Sequence, residues 1–449
     1  VRICQAAGLI QAFGDIPIHI TGTRFMVETD EEAGMVTGKG SYDTTLTEAE
    51  IEKILQEGID DSLVRGKRVL VLTPDGTRTA PLPLMTRLIL LHAGKKATRL
   101  DFMAALGTHR TLSEKEIDSL YGIGAKERAS SSFFNHRWDR PDMFRKIGTI
   151  AEREVARISG GLLSEKMDII INRIVYDYDL VIVLGPVFPH ELVGFSGGNK
   201  YFFPGVSGGE FMHAFHWLGA LIGCMEIIGK KHTPTRALID RAASLITPRK
   251  VCVSMVVDGQ KIFRGLFVGS MEESWEKAAD LSEQVHVKRK KRPYRLVIGV
   301  APAMYDELWT AGKVMYKLEP VVKDGGELVI YAPHIDTVSH TWGDWLSRIG
   351  YHVRDYYLAV AGKFDDVPKA VLAHSTLVKG AGTCVNGSER PRIRVTLASG
   401  ISEEKCERLD LGYKDPGKID IARYKNKEDE GVLVVENAGE TLYRLDTGA

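Results

Sequence analysis

The stretch Leu180-Val-Ile-Val-Leu-Gly-Pro-Val-Phe-Pro-His-Glu-Leu-Val-Gly-Phe-Ser-Gly-Gly-Asn-Lys200 decides the reading of the fold. Its first five residues form an apolar run of the length of a buried strand. The run then breaks into prolines and glycines that carry His190 and Lys200, and His213 and His216 follow shortly after. Reactive groups gathered just past a strand end point to an open α/β sheet, because such sheets bind ligands beyond the carboxyl ends of their strands.

Working outward, short apolar runs at 67–73, 99–106, 168–172 and 179–184 read as strands, as does 16–20. Residues 46–58 and the segment from Ser113 read as helices. Thr47 with Glu50, and Ser113 with Glu116, have the capping-box spacing that satisfies free N–H groups at a helix start. Alternating strand and helix patterns predict α/β architecture with largely parallel sheets. The basic run Lys288-Arg-Lys-Lys-Arg292, closed by Pro293, reads as a solvated linker. The pattern then restarts with a strand at 295–300, a helix at about 305–323 and a strand at 327–331. Further strands are expected at 367–373, 392–398 and 431–435. The expected organisation is an N-terminal cofactor-binding α/β domain (1–287), a basic linker (288–294) and a C-terminal α/β domain (295–449). The last strand would pack back on the first domain, and the active site would lie in the interdomain cleft.

Composition narrows the class. The 449 residues carry 59 basic and 59 acidic side chains. That balance gives no electrostatic reason for a nucleic-acid partner. No apolar run approaches the roughly 20 residues of a membrane helix, and the first residues do not have the pattern of a signal peptide. The five scattered cysteines, with no CxxC pair, suggest reduced thiols, a cytoplasmic setting and no thiolate zinc site.

Five segments carry candidate chemistry. Asp75, Thr77 and Arg78 sit on a turn after the 67–73 strand, and Arg78 could clamp a carboxylate. His109, in Gly107-Thr-His-Arg110, is placed to shuttle protons. Gly194, Gly197 and Gly198 allow a backbone turn that cradles an anion, but the spacing is neither a Walker A loop nor GxGxxG. His213 and His216 share a helix face, and either or both could bind a metal. No carboxylate or cysteine completes a zinc set by spacing. Lys313, in Met304-Tyr-Asp-Glu-Leu-Trp-Thr-Ala-Gly-Lys, follows a strand of the second domain. Taken singly, each has an ordinary structural reading: a capped turn, a loop histidine, a surface lysine.

Together these segments resemble the nickel-dependent lactate racemase family. The matching pieces are Asp75-Gly-Thr-Arg78, Gly107-Thr-His-Arg110, Asn135-His136, and Pro189-His190 with Gly194-Phe-Ser-Gly-Gly-Asn-Lys200 and Pro204-Gly205. They run in order through residues 69–216, with a weaker match at 296–332. The resemblance implies an isomerase that inverts Cα of a 2-hydroxy acid by reversible hydride transfer through a 2-keto acid. Its cofactor would be a nickel-pincer nucleotide, a pyridinium mononucleotide whose sulfur groups hold nickel, attached at Lys200. His216 would be the protein's nickel ligand, with His213 as second choice. His109 and His190 would be the paired acid and base. Arg78 and Lys313 would bind substrate, and Asp75, Thr77, Ser196, Gly197 and Gly198 would contact the cofactor. The implied partners are a small 2-hydroxy acid and the proteins that make the cofactor. Two departures stand where substrate shape should be read: Asp75-Gly76-Thr77 replaces an Asp-His-Thr pattern, and Trp309-Thr310 replaces Tyr-Gln. They predict a substrate other than lactate, larger or sugar-derived. Rival readings are a nicotinamide-dependent dehydrogenase, a non-catalytic cofactor- or ligand-binding relative, and a hydrolase using His213 and His216.

Overall fold

The computed structural model describes residues 36–259 and 261–446; the strand expected at 16–20 and Cys4 lie outside them. The first sheet has seven strands: β1 (Thr37–Gly40), β2 (Arg68–Thr73), β3 (Arg99–Ala104), β4 (Phe133–Asn135), β5 (Leu180–Pro186), β6 (Arg249–Val257) and β7 (Phe263–Gly269). Their order is β1-β7-β6-β5-β2-β3-β4. Strands β6 to β4 run parallel, whereas β7 is antiparallel to β6 and β1 to β7. The central strands are apolar at nearly every position because helices cover both faces. The helices Glu48–Gly58 and Glu114–Tyr121 both begin with complete capping boxes, on Thr47 and Ser113.

The second sheet, β8 (Tyr294–Val300), β9 (Val322–Ala332), β10 (Arg394–Ser399), β11 (Gly412–Tyr413) and β12 (Val432–Val435), is parallel throughout in the order β11-β10-β9-β8-β12. Three helices matter for the site: α1 (Gly209–Ile222), α2 (Leu308–Leu318) and α3 (Lys369–Lys379).

Several expectations need correction. Residues 367–373 do not form a strand. Pro368 caps α3, and residues 370–379 are all buried, so the apolar run shows no helical periodicity. The helix expected at 305–323 is shorter, because Pro320 cannot supply a helical N–H and the chain tightens into a single 3-10 turn. Met167–Asn172 is a strand, but it pairs antiparallel with Phe144–Ile150 outside the main sheet. Strands β6 and β7 were not anticipated, although Val251–Val257 is as apolar as β5.

The basic run is solvated, as expected, but it is not an unstructured linker. Val287–Lys290 forms a parallel pair with Leu442–Leu445. Two of its cations have carboxylate partners: Lys290 meets Glu428 at 2.9 Å and Arg292 meets Asp429 at 2.6 Å. The aliphatic stems can lie along a strand while the charged ends reach these carboxylates.

Candidate active site

Strands β5, β2 and β3 are neighbours in the first sheet, so the loops after their carboxyl ends converge. The loop after β2 brings Asp75, Thr77 and Arg78; that after β3 brings His109; that after β5 brings His190 and then Lys200. Helix α1 adds Met212, Phe215 and His216. From the second half of the chain, α2 contributes Trp309, Thr310, Lys313 and Tyr316, and α3 contributes His374 and Leu377. All of these line one pocket.

His109 is fixed by its neighbours. Its Nδ1 lies 2.5 Å from Asp75 Oδ2. Asp75 Oδ1 accepts from the Thr77 amide at 3.0 Å and from the Thr77 hydroxyl at 2.7 Å. Burial alone would raise the Asp75 pKa, but the charge of His109 and the bonds from His109 and Thr77 outweigh it, and the carboxyl is held below its usual range. An ionised carboxylate only accepts, so Nδ1 of His109 carries a proton. When the ring is neutral, Nε2 offers a lone pair. The His109 carbonyl accepts from Trp138 Nε1 at 2.9 Å, which ties down the loop.

His190 is arranged the other way. It is 4% exposed, and its Nδ1 accepts the Leu192 amide proton at 3.2 Å. Burial, then the cations Lys200 and Arg78, push its pKa well down, so the ring is neutral and its proton sits on Nε2. With Nδ1 taken, the 3.3 Å approach to Glu191 Oε2 is a contact and not a hydrogen bond, and that oxygen has no partner. The pocket therefore holds two imidazoles in opposite tautomers.

Cations surround them. Arg78 Nη1 is buried without a hydrogen-bond partner. Burial opposes its charge, but Glu191 and other nearby groups hold the guanidinium protonated. Lys313 Nζ donates to the Thr77 carbonyl at 3.0 Å and lies 4.7 Å from the centre of the Tyr305 ring. Burial and Arg78 bring its pKa down to about 7. Burial and Arg78 likewise lower Lys200 to about 8, which raises the share of free amine available for acylation.

The turn before Lys200 needs its glycines. At Gly194, with φ +79°, a Cβ would meet the Lys230 carbonyl oxygen at 1.6 Å. At Gly197, with φ +84°, it would meet Val187 at 2.8 Å. Arg236 holds the turn from behind through the carbonyls of Phe195 and Gly197.

His216 and His213 separate clearly. His216 lines the pocket and donates Nδ1–H to the Met212 carbonyl at 2.7 Å, leaving the Nε2 lone pair free. Burial lowers its pKa to about 3, so it stays neutral. A carbonyl bond on one ring nitrogen and a lone pair on the other is the usual arrangement of a metal-ligating histidine. His213 does not line the pocket; its ring meets the edge of Trp342.

Three residues expected at the cofactor have other partners in the fold. Both oxygens of Asp75 are engaged by His109 and Thr77, so Asp75 positions that histidine as well as lining the pocket. The Ser196 hydroxyl serves the backbone, accepting from Phe188 N and donating to the Pro186 carbonyl. Gly198 lies behind the pocket against Trp275, whereas Gly197 lines it. Sequence reasoning missed Glu191, Glu440 and His374. Glu440 accepts from the Thr79 amide at 2.8 Å and braces the Arg78 loop. Glu191 adjoins His190 and could have been noticed; the other two carried no local signal.

The hydrolase reading finds no support in this geometry. Among the described residues, the group of three that could hold an ion is His352, Glu389 and Asp410, none of which lines the pocket. His352 is bonded to Glu389, and Asp410 is paired with Lys379. No helix among the described residues is long and apolar enough to cross a membrane.

Two α/β halves, one built on a mostly parallel sheet and the other on a wholly parallel one, with strand-end histidines and cations around a shared pocket, define the class, an α/β protein with its candidate site at the strand ends. Residues 21–224 match the lactate racemase N-terminal domain. Lactate racemase from Thermoanaerobacterium thermosaccharolyticum is 24% identical over 339 residues, 72% of this chain and 74% of the relative. That from Lactiplantibacillus plantarum is 24% identical over 335 residues, 71% and 74% respectively. A crystal structure of a Thermotoga maritima protein superposes with a TM-score of 0.84 at 33% identity, covering 91% of this chain and all of that one. The apoprotein of the Thermoanaerobacterium racemase superposes at 0.69 with 18% identity, covering 92% and 94%. Over residues 21–224 the chain carries a lactate racemase N-terminal domain, and the curated relatives it resembles are lactate racemases, which are isomerases.

Proposed function

We propose that this protein inverts Cα of a 2-hydroxy acid, using a nickel-pincer nucleotide held by Lys200 and His216. The observation that carries the reading is the pair of opposed tautomers, His109 and His190, in one pocket with the unpartnered guanidinium of Arg78. A proton acceptor, a proton donor and a carboxylate clamp are what inversion beside a carboxylate requires.

The residues present fit the cofactor. Lys200 offers an amine of lowered pKa, His216 a metal-facing lone pair, and the glycine turn a close backbone approach. When bound, the cofactor supplies a reversible acceptor for the Cα hydride, which avoids a carbanion next to a carboxylate.

The chain's own residues do the rest. Arg78 and Lys313 bind the carboxylate and the reacting oxygen. His109 takes the hydroxyl proton at Nε2, and Asp75 stabilises the imidazolium that results. His190 serves the opposite face, where its Nε2–H donates a hydrogen bond to the reacting oxygen; it passes that proton on only when Nδ1 takes up another in place of the bond from the Leu192 amide. In the protein alone, burial first, and then Lys200 and Arg78, keep His190 neutral. Acylation of Lys200 removes one of these charges, and a carboxylate on Arg78 offsets the other. Both changes weaken the electrostatic part of that depression, while burial continues to favour the neutral ring.

Intact mass and elemental analysis, on protein produced together with the cofactor-making enzymes, test this reading. An adduct on Lys200, bound nickel and racemisation of a chiral 2-hydroxy acid are expected. Loaded protein that leaves every such acid unchanged would refute it.

A further inference from the structure

The pocket wall facing away from the strand ends contains one polar atom that nothing in the fold uses. His374, on α3, is 6% exposed and lines the pocket, and its Nε2 has no hydrogen-bond partner. The ring is held firmly. It stacks on Trp309 of α2 with centroids 3.9 Å apart and planes at 19°, and Tyr351 meets its edge at 5.9 Å. Gly312 makes room for it: a Cβ there would lie 3.3 Å from His374 Cε1 and 2.8 Å from Val378. The surrounding lining from Met212, Phe215 and Leu377 is apolar. A buried polar atom without a partner destabilises a fold, so an orphan fixed by stacking at a ligand pocket is a candidate for ligand recognition.

We propose that Trp309 and His374 form the subsite for the substrate chain beyond Cα, and that the substrate carries a further hydroxyl there, as a polyhydroxy acid does. This rests on the reading of the pocket as a racemase site. A hydroxyl both donates and accepts, so it satisfies His374 Nε2 in either tautomer. A methyl group, as in lactate, leaves that nitrogen unpaired. A second carboxylate is a poorer match, since burial keeps the imidazole uncharged and the cations Arg78, Lys200 and Lys313 come from other elements of the pocket.

The test compares glycerate with lactate, which differ by one hydroxyl, and gluconate with 2-hydroxybutyrate, on the loaded enzyme. The wild type should prefer the hydroxylated member of each pair. His374→Phe keeps the ring stack and removes the polar atom; it should shrink the preference in kcat/KM for the hydroxylated member of each pair by about tenfold. His374→Gln, which restores a donor and an acceptor, should recover part of it. Tryptophan fluorescence titrations with glycerate and gluconate give a readout independent of turnover and should lose saturable quenching in His374→Phe. An unchanged preference in the variant, or a wild type that favours lactate, overturns the subsite and leaves the racemase reading intact. Binding that depends on His374 without racemisation of any acid overturns the racemase reading and leaves the subsite. Loss of nickel in His374→Phe would reassign the ring to the metal and overturn the proposal.

Discussion

The pocket's two walls use their polar atoms differently. On the strand-end wall, His109, Asp75, Thr77 and His190 are each committed to a named partner, and the atoms left unpaired there, Arg78 Nη1 and Glu191 Oε2, belong to charged groups. On the helical wall, His374 Nε2 stands unpaired, a neutral atom on a ring stacked against Trp309. Committed partners fix orientation and protonation, which chemistry needs at every turnover. An uncommitted atom leaves its bond to the ligand, which selection among ligands needs. The difference separates the residues that perform the reaction from those that choose the reactant.

If that division holds, damage to the first wall should be severe and independent of substrate. His109→Ala or His190→Ala should lower racemisation by about 10³-fold for every acid accepted, with nickel content unchanged by elemental analysis. Near-full activity in either variant would end the two-base assignment. Asp75→Asn should cost on the order of 10²-fold, because an amide can hold His109 in the wrong tautomer; the loss should appear in kcat more than in KM. Lys313→Ala should raise KM by about tenfold through loss of a charge-assisted contact.

Acid stability sharpens the same contrast. His216 and His374 are both lowered by burial to about 3. Their unfolded counterparts protonate near pH 6.5. Unfolding therefore takes up protons below that pH, so the stability these neutral rings confer is present above about pH 6.5 and is lost as pH falls towards 3. Between pH 6.5 and 5 the loss should be about 1–2 kcal/mol per ring, read as a falling melting temperature. A flat profile over that range would contradict their burial as neutral groups. The smallest effect belongs far from the pocket: Lys290→Ala breaks a half-exposed pair with Glu428 and should cost under about 1 kcal/mol in urea denaturation.

Much of the strand-end wall was legible in the sequence, because each of its groups follows an apolar run within a few residues. His109, His190 and Arg78 lie where such runs end, with Lys200 further along the segment that carries His190, and a parallel sheet brings those ends together. The Asp75–His109 bond was not legible, since it depends on β2 and β3 being neighbours. Helix α3 was misread as a strand for the same reason that it matters: burial on every face erased the periodicity that marks a surface helix. The basic strand was misread because its neutralising carboxylates, Glu428 and Asp429, stand about 140 residues away. The hydroxylated-substrate hypothesis had only Trp309-Thr310 as a signal. The atom that gives it chemical content, His374 Nε2, belongs to a segment with no motif.

The brace from Glu440 to the Thr79 amide spans 361 positions of the chain. During synthesis the Arg78 loop leaves the ribosome long before the residue that steadies it. The parallel pairing of Val287–Lys290 waits equally on Leu442–Leu445. The first sheet can form while translation continues, but the carboxylate clamp takes its final shape only when the last strand arrives. The Arg78 loop is therefore completed only after Glu440 has been made, and a chain cut short of that residue would leave the loop without its brace.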